Sequence, residues 1–338
     1  MNSNSKFFKV FAECALVKGN TRSAIYDLPR GKYNLIPNEL FDILSKYEGR
    51  SLDEIKANFD ENDHATIDEY FEFLIKNEFI FYCDKDELEL FPPLNSEWHY
   101  PGVISNAIID LPKVPKVDYI EIVRQLEELG CQALILRFKD LLDERYYHLF
   151  KYVNDSDIRS AQIHTQYNRL LQESHYENLL KGHLKIRTCV IYGSPKESVI
   201  NTGINGAQLI CYIKNVMTDT IETLPAPNLF HVNIELFTES KYHNPYLNGK
   251  IYIDENGFIK NCFTHNQSFG NIHEHLIKDV ITNEFKILWN VSKDKIAVCR
   301  DCEYRFMCVD NRTPVFDSDD YKHLTECNYD PYEGKWKN

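Results

Sequence analysis

"VISNAIIDLPKVPKVDYIEIVRQLEELGCQALILRF", residues 103–138, contains two apolar strand-like runs separated by one amphipathic helix. The same alternation continues through helical segments at 141–153 and 175–184 and strand-like runs at 158–167, 186–193 and 207–213. Strands joined by single helices of this length form βαβ units, in which consecutive strands lie parallel. The sequence therefore predicts an α/β fold with a mostly parallel sheet, open or partly closed, over residues 103–250.

Residues 1–85 have a different pattern, in which strands come first and helices follow. Strand-like runs occupy 6–11, 23–28 and 32–36. One helix begins after Pro37, and a second has Ser51 as N-cap with Glu54 completing a capping box. The third, "TIDEYFEFLIKNEF", carries an apolar stripe made of Ile67, Tyr70, Phe71, Leu74 and Ile75. This order predicts a small winged-helix-like domain, followed by a linker at 86–102.

Composition limits the classes of function. The chain has 338 residues, of which 43% are hydrophobic, so it can bury two or three cores. Its formal net charge of -13 disfavours nucleic acid as a partner, because phosphates are repelled by a negative surface. The acidic third helix likewise disfavours DNA binding. Neither a signal peptide nor a long apolar segment is apparent, so we expect a soluble, cytoplasmic protein.

Three of the ten cysteines fall within "VCRDCEYRFMCVDNR", residues 298–312. In a large chain from a reducing compartment, such a cluster indicates metal or redox chemistry more than a disulfide framework. Cys299, Cys302 and Cys308 supply three thiolates, and Cys327 completes a set of four. Cys262 is a fifth candidate. The sequence therefore predicts a thiolate-ligated metal centre.

Three alternatives for these cysteines remain at this point. They could be buried, unligated thiols, or a disulfide, or the ligands of zinc in place of an iron-sulfur cluster, since spacing alone does not separate the two metals. Arg300, Arg305 and Arg312 place positive charge near the predicted negative centre.

The cysteine loop, together with Cys262, "SFGNI" and the late Cys327, resembles the SPASM region of radical-SAM peptide-modifying enzymes. The resemblance assigns Cys299, Cys302, Cys308 and Cys327 to one auxiliary 4Fe-4S cluster and implies a partial (β/α) barrel of radical-SAM type, followed by a SPASM domain at 251–338. Another auxiliary cluster is not expected, because His275 and Arg312 stand where that family has cysteines, which leaves Cys262 as a relic or a nearby thiol.

The C-x3-C-x2-C loop that radical-SAM chemistry requires is absent from the sequence, and "PKVPK" follows the first barrel strand instead. This barrel is therefore expected to be degenerate, without a radical-SAM cluster or cleavage of S-adenosylmethionine. Across nearly its full length, the chain is similar to the SPASM-domain peptide maturases of grasp-with-spasm systems. These act with an ATP-grasp ligase on a ribosomally made precursor peptide, so both are the partners that the resemblance implies.

Within that resemblance, residues 1–85 look like a leader-peptide recognition element, which binds an extended peptide along a sheet edge. The predicted contacts are Tyr33 and Leu35 on the third strand and Tyr70, Phe73 and Asn77 on the third helix. For Phe71 and Leu74 of the same helix, filling of the domain core is the preferred interpretation. His273 and His275 are weaker metal-ligand candidates, and Glu235, Thr238 and Glu239 are predicted to end a barrel strand.

Three functions follow from these predictions. The first is a peptide-binding maturation partner with one 4Fe-4S cluster. The second is an iron-sulfur enzyme that modifies the precursor peptide, for which the sequence gives no catalytic residue. The third is a binding module held together by zinc.

Overall fold

The structure is a computed structural model that describes residues 6–139, 141–203, 205–215 and 224–337. By contact these residues form two compact units. The first contains the described residues of Met1–Trp98, Thr223–Pro245 and Asn290–Asn338, and the second those of His99–Glu222 and Tyr246–Trp289. Each unit combines several of the segments predicted from the sequence, so the division at residues 85, 102 and 250 remains a prediction.

The helices and strands follow one another along the chain in a mixed α/β order. They are β1 (Phe7–Val10), β2 (Cys14–Val17), β3 (Ser23–Asp27), β4 (Lys32–Ile36), α1 (Asn38–Tyr47), α2 (Leu52–Lys56), α3 (His64–Lys76), β5 (Ile80–Cys83), β6 (Asn106–Leu111), α4 (Tyr119–Glu128), β7 (Ala133–Phe138), α5 (Tyr147–Asp155), β8 (Ser160–Gln166), α6 (Glu173–Gly182), β9 (Ile186–Tyr192), β10 (Ser198–Asn201), β11 (Gln208–Tyr212), α7 (Ile234–Tyr242), β12 (Lys250–Ile253), β13 (Phe258–Lys260), β14 (Gly270–Asn271), α8 (Ile277–Val280), β15 (Pro314–Asp317), β16 (Asp320–His323), β17 (Tyr329–Asp330) and β18 (Lys335–Trp336).

The first unit contains a three-stranded antiparallel sheet in the order β2-β3-β4, while β1 pairs separately with β5. The sequence predicts three strands ahead of the helices, whereas the structure has four. The strand "CALV" at β2 is too short for its apolar pattern to be recognised. The predicted capping box is present at α2, where Ser51 accepts from the amide of Glu54 and the Glu54 carboxylate accepts from the amide of Ser51.

Both faces of this three-stranded sheet are buried. Ile25 and Ile36 pack against α1 and α3, where Leu40, Phe71 and Leu74 complete one core. The opposite face, with Ala24 and Tyr26, packs against residues of the cysteine-rich segment and of α7. Those residues are Phe237, Tyr304, Phe306, Met307, Tyr329 and Trp336. One of the two faces of the amino-terminal sheet is therefore covered mainly by the carboxyl-terminal segment.

The predicted barrel strand at Glu235, Thr238 and Glu239 is wrong, because these residues lie in helix α7. Asn233 caps the helix by accepting a hydrogen bond from the amide of Leu236 at 2.8 Å, and such a cap favours helix over strand.

The second unit is built on a nine-stranded sheet in the order β10-β11-β9-β8-β7-β6-β12-β13-β14. Six consecutive strands, from β11 to β12, are parallel to their neighbours. The βαβ alternation predicted from residues 103–138 is confirmed, because α4 joins β6 to the parallel strand β7. Apolar residues of one sheet face, such as Ile109, Leu136 and Ile163, pack with α4, α5 and α6 in the main core. The opposite face carries polar side chains such as Asp110, Arg137 and Tyr252 together with the apolar Ile108 and Ile135.

Among the helices of the described ranges, none has the length and the apolar character needed to cross a lipid bilayer.

Candidate metal centre and peptide-binding surface

The four predicted ligand cysteines all lie in the first unit. Cys299 begins a short 3₁₀ helix, Cys299–Asp301, and Cys302 follows its end. Cys308 is buried, and Cys327 lies shortly before β17. All four are free thiols.

The four thiols are close enough to influence one another electrostatically. Burial raises the pKa of Cys299 and Cys302 and raises that of Cys308 to about 12. The charge of Cys327 adds to the rise in the pKa of Cys299 and Cys308, and those two thiols act in the same way on the pKa of Cys302. Within the described residues, no three His, Cys, Asp or Glu side chains are grouped as around a single ion. Assignment of the four cysteines as ligands therefore stays a prediction.

Two backbone amides donate to sulfur atoms of this set. The amide of Tyr304 donates to Cys302 Sγ at 3.4 Å, and the amide of Tyr329 donates to Cys327 Sγ at 3.4 Å. In each case the donor lies two residues after the cysteine. Amide hydrogen bonds of this kind stabilise the negative charge of metal-bound thiolates and help to set the reduction potential of iron-sulfur clusters.

A group of charged side chains is buried beside the cysteines. Lys293 and Arg312 both bind Asp310, and the exposed fractions of the three residues are 5%, 3% and 6%. Cys308 Sγ lies 3.9 Å from Asp310 Oδ2. Burial alone would raise the pKa of Asp310, but the charges of Lys293 and Arg312 outweigh it and hold this pKa well below its usual range. The group therefore contains two cations and one carboxylate.

His323 does not change this balance. Its side chain is 5% exposed, and burial lowers its pKa to about 4, so the imidazole is neutral at pH 7. Of the three arginines predicted to face the centre, Arg312 lies in the buried group, whereas Arg300 pairs with the exposed Asp320 and Arg305 pairs with Asp294. The buried group thus keeps one net positive charge that its own residues do not neutralise.

A cavity of about 370 Å³ opens beside this charged group. Cys299, Cys327, Arg312 and His323 are among its lining residues. The cavity therefore brings two of the four predicted ligands together with one buried cation.

The remaining ligand candidates belong to the second unit. Cys262 belongs to the second unit, where its Sγ is 3.5 Å from Tyr246 Oη and 3.3 Å from Thr264 Oγ1. His273 and His275 are exposed in the turn after β14. His275 Nδ1 lies 3.3 Å from the carbonyl oxygen of Asn271, so its nearest partner is the backbone.

Glu303 ties the cysteine loop to the amino-terminal sheet. This residue follows Cys302 and is fully buried. Its Oε1 accepts from Arg22 Nε at 2.8 Å and from Tyr329 Oη at 2.5 Å. Tyr26, on β3, donates to the Glu303 carbonyl oxygen at 2.6 Å. A single glutamate therefore connects the turn between β2 and β3 with the segments that carry Cys302 and Cys327.

Replacing Arg22 with methionine is expected to destabilise the first unit by about 2 kcal/mol, because the buried Glu303 carboxylate loses its cation. This figure is below that for fully buried pairs because Arg22 is 31% exposed. Urea unfolding of the full chain measures the change. Arg124→Met, which breaks an exposed pair with Glu121, is the matched control and is expected to leave stability unchanged. Equal curves for Arg22→Met and the unaltered protein would contradict the assigned role of the pair.

Strand β4 lies at one edge of its sheet. It pairs with β3, and no other strand of the described residues pairs with it. Leu35 is 37% exposed, while Tyr33 packs its ring against Tyr304 at a centroid distance of 5.7 Å. An edge strand with unpaired backbone groups can accept an extended peptide as a further strand. Leu35 is thus exposed on an edge strand, and its contact with a peptide stays a prediction, while Tyr33 supports the contact between the sheet and the cysteine segment.

The predicted contact residues on α3 are partly buried. Tyr70 and Phe73 pack against the core between the sheet and the helices, and the Asn77 side chain donates to the Phe73 carbonyl oxygen at 2.8 Å. Phe71 and Leu74 are buried in that core, as the preferred interpretation of the sequence held. The exposed residues of this helix are Ala65, Thr66, Glu69, Glu72, Ile75 and Lys76.

A second polar network, which no motif of the sequence indicates, lies in the second unit. In the second unit, Arg137 on β7 binds Asp110 on β6 through two hydrogen bonds of 2.7 and 3.1 Å. Tyr252 also donates to Asp110, at 2.6 Å. Asp110 and Arg137 are the only charged residues of the strands "NAIIDL" and "ALILRF", and this could have been the signal. His164, in register with Arg137 on β8, has its pKa lowered to about 4 by burial and by the charge of Arg137.

Comparison with known proteins gives matches among solved structures. No family model matches the chain, and no curated protein matches it. Crystal structures of Streptococcus suis SuiB align with 89% of this chain and 94% of that one. The form bound to S-adenosylmethionine has a TM-score of 0.41 at 11% identity. SuiB alone and SuiB bound to the precursor peptide SuiA have TM-scores of 0.29 and 0.28, at 10% and 11% identity. These values are too low to transfer any property to the present chain.

Proposed function

We propose that this chain is a non-radical maturation protein of SPASM type for a ribosomally made peptide. In this proposal, Cys299, Cys302, Cys308 and Cys327 hold one 4Fe-4S cluster, and β4 binds the precursor peptide. The ATP-grasp ligase is a partner that the sequence resemblance implies. When bound, such a cluster supplies one-electron redox chemistry.

The net positive charge of the buried group is the observation that carries the proposal. A buried charge is costly unless an opposite charge lies nearby. With protonated thiols, Lys293 and Arg312 share only Asp310. Metal binding deprotonates cysteine thiols, so a thiolate-bound centre supplies the missing negative charge. The two amide hydrogen bonds to Cys302 Sγ and Cys327 Sγ favour the same charged state.

The donor set fits the proposed group chemically. Four thiols are available, and burial is the main cause of each raised pKa among them. Metal binding lowers the pKa of a cysteine thiol and so offsets the effect of burial. The same four thiolates also suit zinc, so metal identity is a separate question that metal analysis decides.

The peptide site is proposed along the free edge of β4. Main-chain hydrogen bonds to the unpaired edge would give affinity, and side-chain contacts around Leu35 would give selectivity. Because residues 304–336 cover one face of the sheet, peptide binding has to be studied on the full chain.

Leu35→Glu is expected to weaken peptide binding at least about tenfold, because it places a charge beside the edge where an apolar side chain would dock. The probe is a labelled peptide enriched by the full chain from a random-peptide display library, and fluorescence anisotropy measures its affinity. Leu170→Glu, at a position that is 89% exposed in the second unit, is the matched control and should bind like the unaltered protein. Failure of the library to yield any saturably bound peptide would count against the peptide-binding function.

A further inference from the structure

A second cavity, of about 730 Å³, lies wholly within the first unit, along strand β2. We call it the β2 groove. Besides β2, its walls include the second half of α1, with Leu44, and the segment 90–94, "LFPPL". None of its described lining residues is a proposed ligand cysteine or belongs to β4. Its volume falls within the range of roughly 300–1,000 Å³ that ligand pockets have, so the groove is a separate site of useful size.

Strand β2 presents main-chain groups to this groove. The strand lies at the edge of its sheet, and among the described residues only β3 pairs with it. The Leu28 amide donates to the Glu13 carbonyl oxygen at 3.2 Å. Because hydrogen-bonded pairs alternate along an antiparallel ladder, Ala15 and Val17 bond to β3, and Leu16 directs its N–H and C=O to the open side. Leu16 lines the groove, so an extended chain lying there can bond to it as a further strand.

One wall of the groove is a row of three aromatic rings. The centroid of the Phe81 ring lies 4.8 Å from that of Phe11 and 4.7 Å from that of Phe91. Phe11 and Phe91 are 38% and 41% exposed. Residues 90–93 are four consecutive apolar residues, and each of them is exposed. Exposed apolar surface that is concentrated in this way marks interaction sites, so the wall fits apolar side chains of a partner.

The charges around the groove are unequal. Its described lining residues include three charged side chains, those of Lys9, Glu13 and Glu48. Lys9 Nζ lies 3.4 Å from Glu48 Oε1, so these two charges offset each other. Glu13 is exposed and adds one further negative charge. A carboxylate and the faces of aromatic rings both attract a cation, so the groove favours a partner that carries a lysine or an arginine.

We propose that the β2 groove binds an extended peptide segment, which adds to the sheet as a strand beside β2. Side chains of a strand point alternately to opposite faces, so every second residue of the segment meets the apolar wall. These residues are apolar, and a lysine or an arginine lies beside Glu13. The site does not depend on the cysteines or on β4, which forms the other edge of the same sheet. Failure of the proposed function therefore leaves this inference untouched.

The first measurement is selection from a random-peptide display library on the full chain carrying Leu35→Glu, which prevents the β4 edge from enriching its own binders. The most enriched sequence is made as a labelled peptide and titrated by fluorescence anisotropy. We expect saturable binding, with apolar residues at alternate positions and at least one lysine or arginine. The proposal is overturned if the library yields no saturably bound peptide.

Methylation of the peptide amides tests the strand pairing without altering the protein. Methyl groups on every second amide nitrogen remove the hydrogen-bond donors along one edge of the bound strand only. One of the two alternating patterns is expected to weaken binding at least about tenfold, and the other should leave binding unchanged. Equal effects of the two patterns would overturn the proposal, because the peptide would then not lie as a strand beside β2.

Two substitutions test the walls of the groove. Phe91→Asp is expected to weaken binding at least about tenfold, because it places a charge in the apolar wall. Phe316→Asp, at a position of the first unit that is 60% exposed and does not line the groove, is the matched control and should bind normally. Glu13→Lys should weaken binding of the selected peptide, and exchange of the peptide's basic residue for glutamate should restore it.

Three results of these experiments would contradict the proposal. The first is equal binding by Phe91→Asp and Phe316→Asp, and the second is a charge exchange at Glu13 that restores nothing. The third is a dimer of the unaltered protein, measured by sedimentation, that Phe91→Asp converts to monomer, because a second copy of the chain would then occupy the groove.

Discussion

Replacing Cys327 with serine is expected to remove most of the iron from protein purified without oxygen, together with its broad absorption near about 400 nm. Cys327 is the one proposed ligand outside the loop at 299–308, and its Sγ accepts from the amide of Tyr329. A serine hydroxyl at this place is a poor ligand for a soft metal centre. Iron and acid-labile sulfide per chain, with the visible spectrum, measure the effect.

Two further cysteine variants make this experiment selective. Cys83→Ser alters a buried thiol whose Sγ donates to the Phe7 carbonyl oxygen, and iron should be retained. Cys262→Ser tests the fifth candidate from the sequence, and iron retention is expected there too. Full iron content in Cys327→Ser, or iron loss in Cys83→Ser, would show that the four cysteines are not the ligand set.

Asp310→Asn is expected to destabilise the metal-free protein by about 3–5 kcal/mol. The change keeps the shape of the side chain but leaves the buried Lys293 and Arg312 without their carboxylate. In protein reconstituted with metal, the loss should be smaller, because the thiolates still provide negative charge beside the two cations. Urea unfolding of both forms measures the two changes in the free energy of unfolding.

The exposed pair between Arg300 and Asp320 provides the control. Asp320→Asn should alter neither form measurably, since exposed ion pairs contribute little. The account of the buried group fails if Asp310→Asn costs the same in metal-free and metal-bound protein, because the centre would then supply no compensating charge.

Local signals in the sequence predicted much of the fold. The alternation of residues 103–138 gave β6, α4 and β7, and Ser51 with Glu54 gave the start of α2. Pairing between distant segments left no local signal, so the association of β1 with β5 was not foreseen. The sequence predicts a strand where helix α7 lies, because "NIELFTES" is short and the single cap at Asn233 is a weak local signal.

The residues of the candidate site also fall into two groups, those that a sequence pattern indicates and those that only the fold brings together. Cysteine spacing predicts the four thiols as metal ligands, which stays a prediction, whereas Arg312, expected near the centre, does lie in the buried charged group. Lys293 and Asp310 were not expected there, because lysine and aspartate are seldom buried and only the fold brings this pair together. The contact of Arg22 with Glu303 joins opposite ends of the chain, and neither residue lies in a pattern that indicates a partner.

Metal analysis of the unaltered protein, purified without oxygen, tests the central claim most directly. We predict about four irons per chain, a matching amount of sulfide and no stoichiometric zinc. One zinc and no iron per chain would replace the cluster with a structural zinc site, and protein free of both metals would contradict the proposed centre altogether.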